Sequence, residues 1–399
     1  MKIVMIGPFG LRPRMTMRVR ALPLAQALTA CGHTVAMLLP PWQNPEDAGR
    51  AWEEGGVRIE NAPLPAGIPG WFHARLTRTL VHRARALKPD VIHIFKPKAY
   101  AGLAHLALAR RFPVVVDTDD WEGSGGWNDL NPYSPLLKWF FAWQERWGLR
   151  HADAVTVASR ALQTLVWAMG GSPERVFYMP NGVAWAYPPV TPAPHPRPTL
   201  LLYTRFFEFK LARLWRIVMA VRAQRPEVRL WFIGQGLFGE DQQLKALAQE
   251  AGWRIAEIAS PSAPVPPDAD LIYCAGWIAP EDQPAHFAQA DAALYPFDDT
   301  LLNRTKCPVK LLDLLAAGVP VVADAVGQIA EVIRPGETGI LVPPGDEAAF
   351  VAALIRLLDE AEYCRAVGTH AAVDVRARFA WDDLAQIVER AYEYARAAD

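Results

Sequence analysis

The stretch Cys307-Pro308-Val309-Lys310-Leu311-Leu312-Asp313-Leu314-Leu315-Ala316-Ala317-Gly318-Val319-Pro320-Val321-Val322-Ala323 is a complete helix-to-strand unit. The proline closes a loop, apolar positions then recur at helical spacing, and Gly318 stops the helix. The run 319–323 that follows is apolar throughout and short enough to be a buried strand. Farther on, Gly336-Glu337-Thr338-Gly339 tips a return into Ile340-Leu341-Val342. A helix that stops on glycine and feeds a wholly apolar strand belongs in a parallel sheet covered by helices on both faces.

Working outward, the same alternation fills the chain. Strand candidates at 199–204, 229–234, 271–275, 292–295, 319–323 and 339–342 make one doubly wound unit. Candidates at 2–6, 34–39, 91–95, 114–117 and 154–158 make another. Between them, residues 187–198 hold six prolines in twelve positions, which neither a helix nor a ladder tolerates. The expected organisation is therefore a first domain over 1–186, a stiff linker over 187–198, a second domain over 199–375 and a terminal segment over 376–399. Paired open sheets bind ligands at the carboxyl ends of their strands, which makes the cleft between domains the expected active site.

Composition narrows the function. Of 399 residues 51% are apolar and 21% charged, which suits a folded protein with full cores rather than a disordered chain. Forty-one Lys and Arg against 42 Asp and Glu give a net charge of -1, so the chain as a whole has no footprint for nucleic acid or an anionic membrane and any basic site is local. Cys31, Cys274, Cys307 and Cys364 form no paired spacing, which predicts neither disulfides nor a zinc site and suits a reducing, cytoplasmic setting. The apolar start ends on Gly7-Pro8 after one strand's length and carries no cleavage site, and no window spans a membrane.

Three segments carry chemistry of their own. Gly234-Gln235-Gly236-Leu237-Phe238-Gly239 follows a strand, with Glu257 about twenty residues on, and fits either a dinucleotide fingerprint or a tight turn near some other phosphate. Asp117-Thr118-Asp119-Asp120 also follows a strand; it fits a cation site, a carboxylate cluster facing an acceptor, or simple helix capping. Arg205 and Lys210, at and beyond a strand end, fit a clamp on a leaving diphosphate or solvated surface charge.

The 307–346 segment, together with Met179-Pro180-Asn181-Gly182-Val183, the Arg205/Lys210 pair, Gly32-His33-Thr34-Val35 and Phe379-Ala380-Trp381, resembles the retaining nucleotide-sugar glycosyltransferases of the GT-B fold, family 4. The resemblance implies two Rossmann-like domains facing each other across a cleft, and a final helix crossing back to the first. It implies transfer of a sugar from a UDP- or GDP-linked donor to an acceptor hydroxyl with retention, without metal or cofactor. By that resemblance Arg205 and Lys210 contact the diphosphate, amides at Val309, Lys310 and Leu311 face the phosphates, and Asp313 holds the ribose. Trp277 and Ile278 flank the base, and Gly10 and Gly234 border the donor. Two positions depart from the family: Thr305 stands for its first glutamate, with Asn303, Arg304 and Lys306 crowding the place and Asn303 and Lys306 as the expected donor contacts there, and Asp119 stands for its histidine. Asp119 is the candidate for hydroxyl contact or general base, with Asp117, Asp120 and Trp121 on the acceptor side.

A sugar-nucleotide epimerase, a non-catalytic sugar-nucleotide binder and an NAD-dependent oxidoreductase are the competing readings. The acceptor is open among lipid-linked, saccharide and small-molecule hydroxyls. Residues 74–88 interleave Arg75, Arg78, His82, Arg83, Arg85 and Lys88 with leucines, which suits either an anionic inner membrane face or an ordinary surface helix. Trp139, Phe140, Phe141, Trp143 and Trp147 share one helical segment and suit core packing, sugar stacking or an interfacial layer.

Overall fold

The computed structural model describes residues 1–67, 69–183, 186–192, 197–260, 263, 265–276 and 278–397. The chain divides into two compact units, one of residues 1–184, 305–307 and 379–399, the other of 185–304 and 308–378.

The first unit is a sheet of strands β1 (Lys2–Ile6), β2 (Thr34–Leu39), β3 (Ala51–Glu54), β4 (Val57–Asn61), β5 (Val91–Phe95), β6 (Val114–Thr118), β7 (Ala154–Val157) and β8 (Val176–Tyr178), in the order β3-β4-β2-β1-β5-β6-β7-β8. Every pairing is parallel except the β3–β4 hairpin, whose Gly55-Gly56 turn takes positive φ at both residues. Helices α1 (Leu22–Ala30), α2 (Pro69–Ala86), α3 (Ala99–Leu108), α4 (Trp127–Leu130), α5 (Pro135–His151) and α6 (Arg160–Ala168) connect the strands. Because successive strand residues point to opposite faces, the sheet feeds two cores. Ile3, Met5, Met37 and Val115 meet α1 on one side, while Val4, Ile6, Ile92 and Val116 meet α2, α3, α5 and α6 on the other.

The second unit repeats the plan with β9 (Thr199–Tyr203), β10 (Arg229–Gly234), β11 (Ile255–Ile258), β12 (Leu271–Ala275), β13 (Ala292–Tyr295), β14 (Val321–Asp324) and β15 (Ile340–Val342), all parallel in the order β11-β12-β10-β9-β13-β14-β15. Its helices are α7 (Leu211–Gln224), α8 (Glu240–Glu250), α9 (Gln283–Phe287), α10 (Leu301–Thr305), α11 (Val309–Ala316), α12 (Ile329–Val332), α13 (Glu347–Asp359) and α14 (Ala361–Arg378). Gly318, at φ +79°, turns the chain out of α11 toward β14. The last helix, α15 (Trp381–Ala397), lies in the first unit, where Leu384, Val388 and Tyr392 complete the core beside α1.

In each unit the strand order reverses at the first strand: β1 sits between β2 and β5, and β9 between β10 and β13. Loops on the two sides of such a strand diverge and leave a crevice at its carboxyl end. Within the first unit the residues after β1, β5 and β6, and within the second those after β9, β10 and β12, follow strands at or beside this reversal.

Two surface readings change in the structure. Leu76, Leu80 and Val81 are buried in the sheet core, so the apolar stripe within 74–88 is consumed internally and only its basic face meets solvent. In α5, Phe141 is buried and Trp147 stacks on His151 at 4.6 Å, whereas Trp139 and Trp143 remain exposed.

Candidate active site

In the second unit, Arg205 leaves the end of β9 and Gly234 ends the neighbouring strand β10. With Tyr203, Gln235, Gly236, Gly276, Ile278 and Lys310 they line a cavity of about 90 Å³. Four of the residues expected at a donor site, Arg205, Gly234, Ile278 and Lys310, thus share one cavity. Gly234 is obligatory there: its φ is +129°, and a Cβ would overlap the Thr204 carbonyl oxygen of the adjacent strand end. Lys310 enters from the first turn of α11, its Nζ 4.2 Å from the Tyr203 ring centroid. One turn on, burial pushes the Asp313 carboxyl up to about 7, with the Lys310 ammonium opposing it. Trp277 lies outside the described residues.

Other expectations change once their hydrogen bonds are traced. The Leu311 amide donates to the Pro308 carbonyl at 3.1 Å, so one of the three amides expected to face the phosphates is already engaged within the turn. Buried Asn303 donates through Nδ2 to the carbonyls of Glu208 at 2.7 Å and Asp298 at 2.8 Å. Its amide group therefore braces the 205–210 loop rather than reaching a ligand. Asp298 in turn accepts the Lys210 backbone amide at 2.9 Å, fixing where that side chain departs at the start of α7. Lys210 is exposed and does not line the Arg205 cavity.

The glycine fingerprint is turned upon itself. Asp241 accepts the Gly236 amide at 3.1 Å and Glu240 accepts the Phe238 amide at 2.8 Å. A dinucleotide pyrophosphate would have to displace two carboxylates from the amides it needs, against their charge. This loop is a self-capped strand-to-helix turn.

In the first unit the carboxylates after β6 part company. Asp117 is fully buried and takes a two-pronged pair from Arg20, both contacts 2.7 Å, plus the Thr156 hydroxyl at 2.7 Å. Arg20 stands on a π-helical turn (Met17–Ala21) and also donates to Asn181 Oδ1 and the Met179 carbonyl, both at 2.9 Å. Asp117 is thus the internal anchor of the Pro180-Asn181-Gly182 turn and not an acceptor contact. Trp121 is likewise corrected: it is buried in the sheet core and its indole donates to the Ser124 carbonyl at 2.9 Å.

Asp119 and Asp120 converge instead on Lys96, which follows β5 at φ +49° with Nζ 2.9 Å from each carboxylate and 3.7 Å from Glu122. Burial pushes Asp119 up to about 6, with Lys96 opposing and Asp120 adding to the rise. Asp120 is held below its usual range: burial works against it, but Lys96 and Lys306 outweigh that cost. Lys306 thus acts on the first unit, within the 305–307 segment whose Thr305 carbonyl accepts the Ser159 hydroxyl at 2.7 Å. Gly10, in the loop after β1, lies where a Cβ would come 2.6 Å from Asn44 Oδ1. Lys96 and Arg20 escape a reading of motifs because each stands among other cations, Lys96 beside Lys98 and Arg20 beside Arg18, in no pattern that sets one of them apart. The only local signal for Lys96 is a lysine placed directly after the apolar strand Val91-Ile92-His93-Ile94-Phe95.

Comparison with known proteins bears on the family and the fold. Residues 16–182 match the model of a glycosyl transferase 4-like domain, and residues 197–360 match that of the glycosyl transferases group 1. A phosphatidyl-myo-inositol mannosyltransferase of Mycobacterium leprae is 25% identical over 98% of this chain and 96% of its own. A GDP-mannose-dependent alpha-(1-6)-phosphatidylinositol monomannoside mannosyltransferase of Mycobacterium tuberculosis is 24% identical over 88% of each chain. Among solved structures, sucrose-phosphate synthase from Thermosynechococcus elongatus superimposes over 100% of both chains at a TM-score of 0.72 and 20% identity. The Anabaena protein HepE in complex with UDP and glucose does so over 97% of this chain and 98% of its own, at 0.67 and 16%. At those identities the two structures speak to the fold alone.

Proposed function

The chain belongs to the glycosyl transferases of group 1 with a 4-like amino-terminal domain, and from that membership we propose that it moves mannose from GDP-mannose to a hydroxyl of a lipid-linked polyol. The class of reaction is that of the family: a hexosyl unit leaves a nucleoside diphosphate and joins an acceptor oxygen with its anomeric configuration retained. The choice of mannose, guanine and a lipid-linked acceptor rests on the relatives named above. The observation that supports the donor assignment is the shared cavity of Arg205, Gly234, Ile278 and Lys310.

In this reading the acceptor O–H adds to the anomeric carbon on the face the diphosphate leaves. The bond from that carbon to the phosphate oxygen breaks, and the acceptor proton passes to the departing diphosphate. Arg205 and Lys310 offset the charge that develops on that group, which matters more in the transition state than in the bound donor. Asp313 accepts from the ribose hydroxyls when ionised, and Asp119, set by Lys96, receives the acceptor.

The test is thermal stabilisation by GDP, UDP and ADP with and without EDTA, followed by analysis of the product's anomeric configuration. GDP is expected to raise the melting temperature in EDTA, since a ligand at 100 times its Kd adds about 2.7 kcal/mol. Arg205→Ala is expected to lower kcat by a factor on the order of 100. Stabilisation by UDP alone would overturn the guanine assignment, and unchanged turnover in Arg205→Ala would overturn the clamp.

A further inference from the structure

The helices over one face of the first sheet carry an uneven charge distribution. Among the described residues of α2, α3 and α5 there is a single carboxylate, Glu145, and it is buried. Against it, α2 contributes Arg75, Arg78 and Arg85 and α5 contributes Lys138, Arg146 and Arg150, while Arg83 is neutralised by Glu60. In a chain whose net charge is -1, this layer is basic with nothing acidic exposed on it. The nearest exposed carboxylate along the chain is Asp90, after α2, and it accepts the Lys2 amide at 2.7 Å.

The same layer also exposes large apolar side chains at one end. Leu136 and Trp139 are 74% and 63% exposed, Trp143 40%, and Trp71 at the start of α2 66%. Residues 136, 139 and 143 fall on one face of a helix, continued by Arg146 and Arg150. The inward face of α5 is already satisfied: Phe141 and Leu149 are buried, and Gln144 exchanges hydrogen bonds with the Ala99 backbone at 2.8 and 3.1 Å. This ridge is therefore surplus to the core. Since α2 and α5 both follow parallel strands and run back against them, their amino-terminal ends lie at the carboxyl edge of the sheet, the edge that also holds Asp119 and Lys96.

We propose that the outer face of α2, α3 and α5 is a docking surface for an anionic lipid bilayer. Leu136, Trp139, Trp143 and Trp71 enter the headgroup boundary, and the arginines of α2 and α5 face lipid phosphates. Charge complementarity selects this occupant: tryptophan and arginine on one face of a layer without exposed carboxylates match a surface that is apolar within and anionic without. The division of labour differs from that expected of 74–88 alone, because α2 supplies charge while α5 supplies most of the apolar contact. Docking there brings the acceptor edge of the sheet to a membrane, in keeping with a lipid-linked acceptor, but it uses no donor chemistry.

The test is co-sedimentation of the full chain, without any sugar nucleotide, with vesicles of phosphatidylcholine alone or doped with phosphatidylglycerol. The full chain is expected to bind the phosphatidylglycerol vesicles at least tenfold more tightly, with loss of binding at high salt. Trp139→Ser with Trp143→Ser is expected to weaken that binding at least tenfold at an unchanged melting temperature, both side chains being outside the core. Arg75→Glu with Arg78→Glu is expected to erase the preference for phosphatidylglycerol. Absence of vesicle binding, or full binding by the tryptophan variant, overturns the proposal. So does a dimer in sedimentation velocity that the tryptophan variant converts to monomer, since the ridge would then cover a second copy. None of these outcomes bears on GDP binding, so this inference and the donor assignment fail separately.

Discussion

A carboxylic acid buried beside a single lysine, as Asp313 is beside Lys310, gives donor binding and stability opposite pH dependences. Its carboxyl is pushed up to about 7 by burial, so the folded chain keeps a proton that the unfolded chain releases in the ordinary aspartate range. The contribution of this group to stability therefore falls as pH rises from about 4 to about 7 and is level above that. Asp313→Asn is expected to melt at a higher temperature than the parent chain, by a margin that grows over this window, as scanning calorimetry at stepped pH would record. Donor affinity should run the other way, strengthening in the parent as pH passes through 7 and remaining flat and weaker in the Asn variant. A margin that does not change with pH would remove Asp313 from the titrating groups. Arg20 and Asp117 illustrate what motif reading misses. Arg20 carries no signal in sequence and Asp117 reads only as one of a carboxylate cluster after a strand, yet together they hold the Asn181 turn, because ninety-six residues of intervening chain return β6 beside the first helical turn.

Strand ends are where sequence and site meet most directly. Gly234 was legible as a turn glycine after an apolar strand, and the structure supplies the stronger reason, namely the close passage of β10 against the Thr204 carbonyl at the end of β9. Gly234→Ala combines a φ of +129° with that overlap and is expected to cost on the order of 1–3 kcal/mol in urea unfolding, and to lose GDP binding with it. An alanine variant with native stability and native affinity would show that the two strand ends are not held together. The helix α11 was equally legible, since proline entry, apolar spacing and a glycine exit are local signals. Short strands at or next to the sheet edges were not: β3, β4, β8 and β11 are half-exposed or brief, and their pairing with a neighbour, not their own pattern, makes them strands. The fingerprint at 234–239 failed for a related reason, since only the structure shows Asp241 and Glu240 already occupying its amides.

The chain as a whole is two doubly wound sheets, with its first and last segments in the same unit. The helix α15 lies almost two hundred residues beyond the proline-rich stretch, yet it seals the first sheet's core with Leu384, Val388 and Tyr392. Leu384→Ala is expected to destabilise the first unit by about 2–5 kcal/mol. Because Leu384 packs only within that unit's core, the affinity for GDP at the Arg205 cavity should be unchanged. Urea unfolding followed alongside GDP titration checks both, and a parallel loss of affinity would contradict the separate cores. The sequence by itself determined the alternation of elements, the doubly wound class, the family and four of the residues that line the second unit's cavity, because apolar periodicity, glycine stops and strand-end cations are local properties of the chain. Only the tertiary structure decided which carboxylates are spent on internal arginine, which converge on Lys96, and which tryptophans are left outside. Those outcomes depend on which distant residues arrive beside each group, and burial and pairing, not residue type, set what a charged or aromatic side chain does.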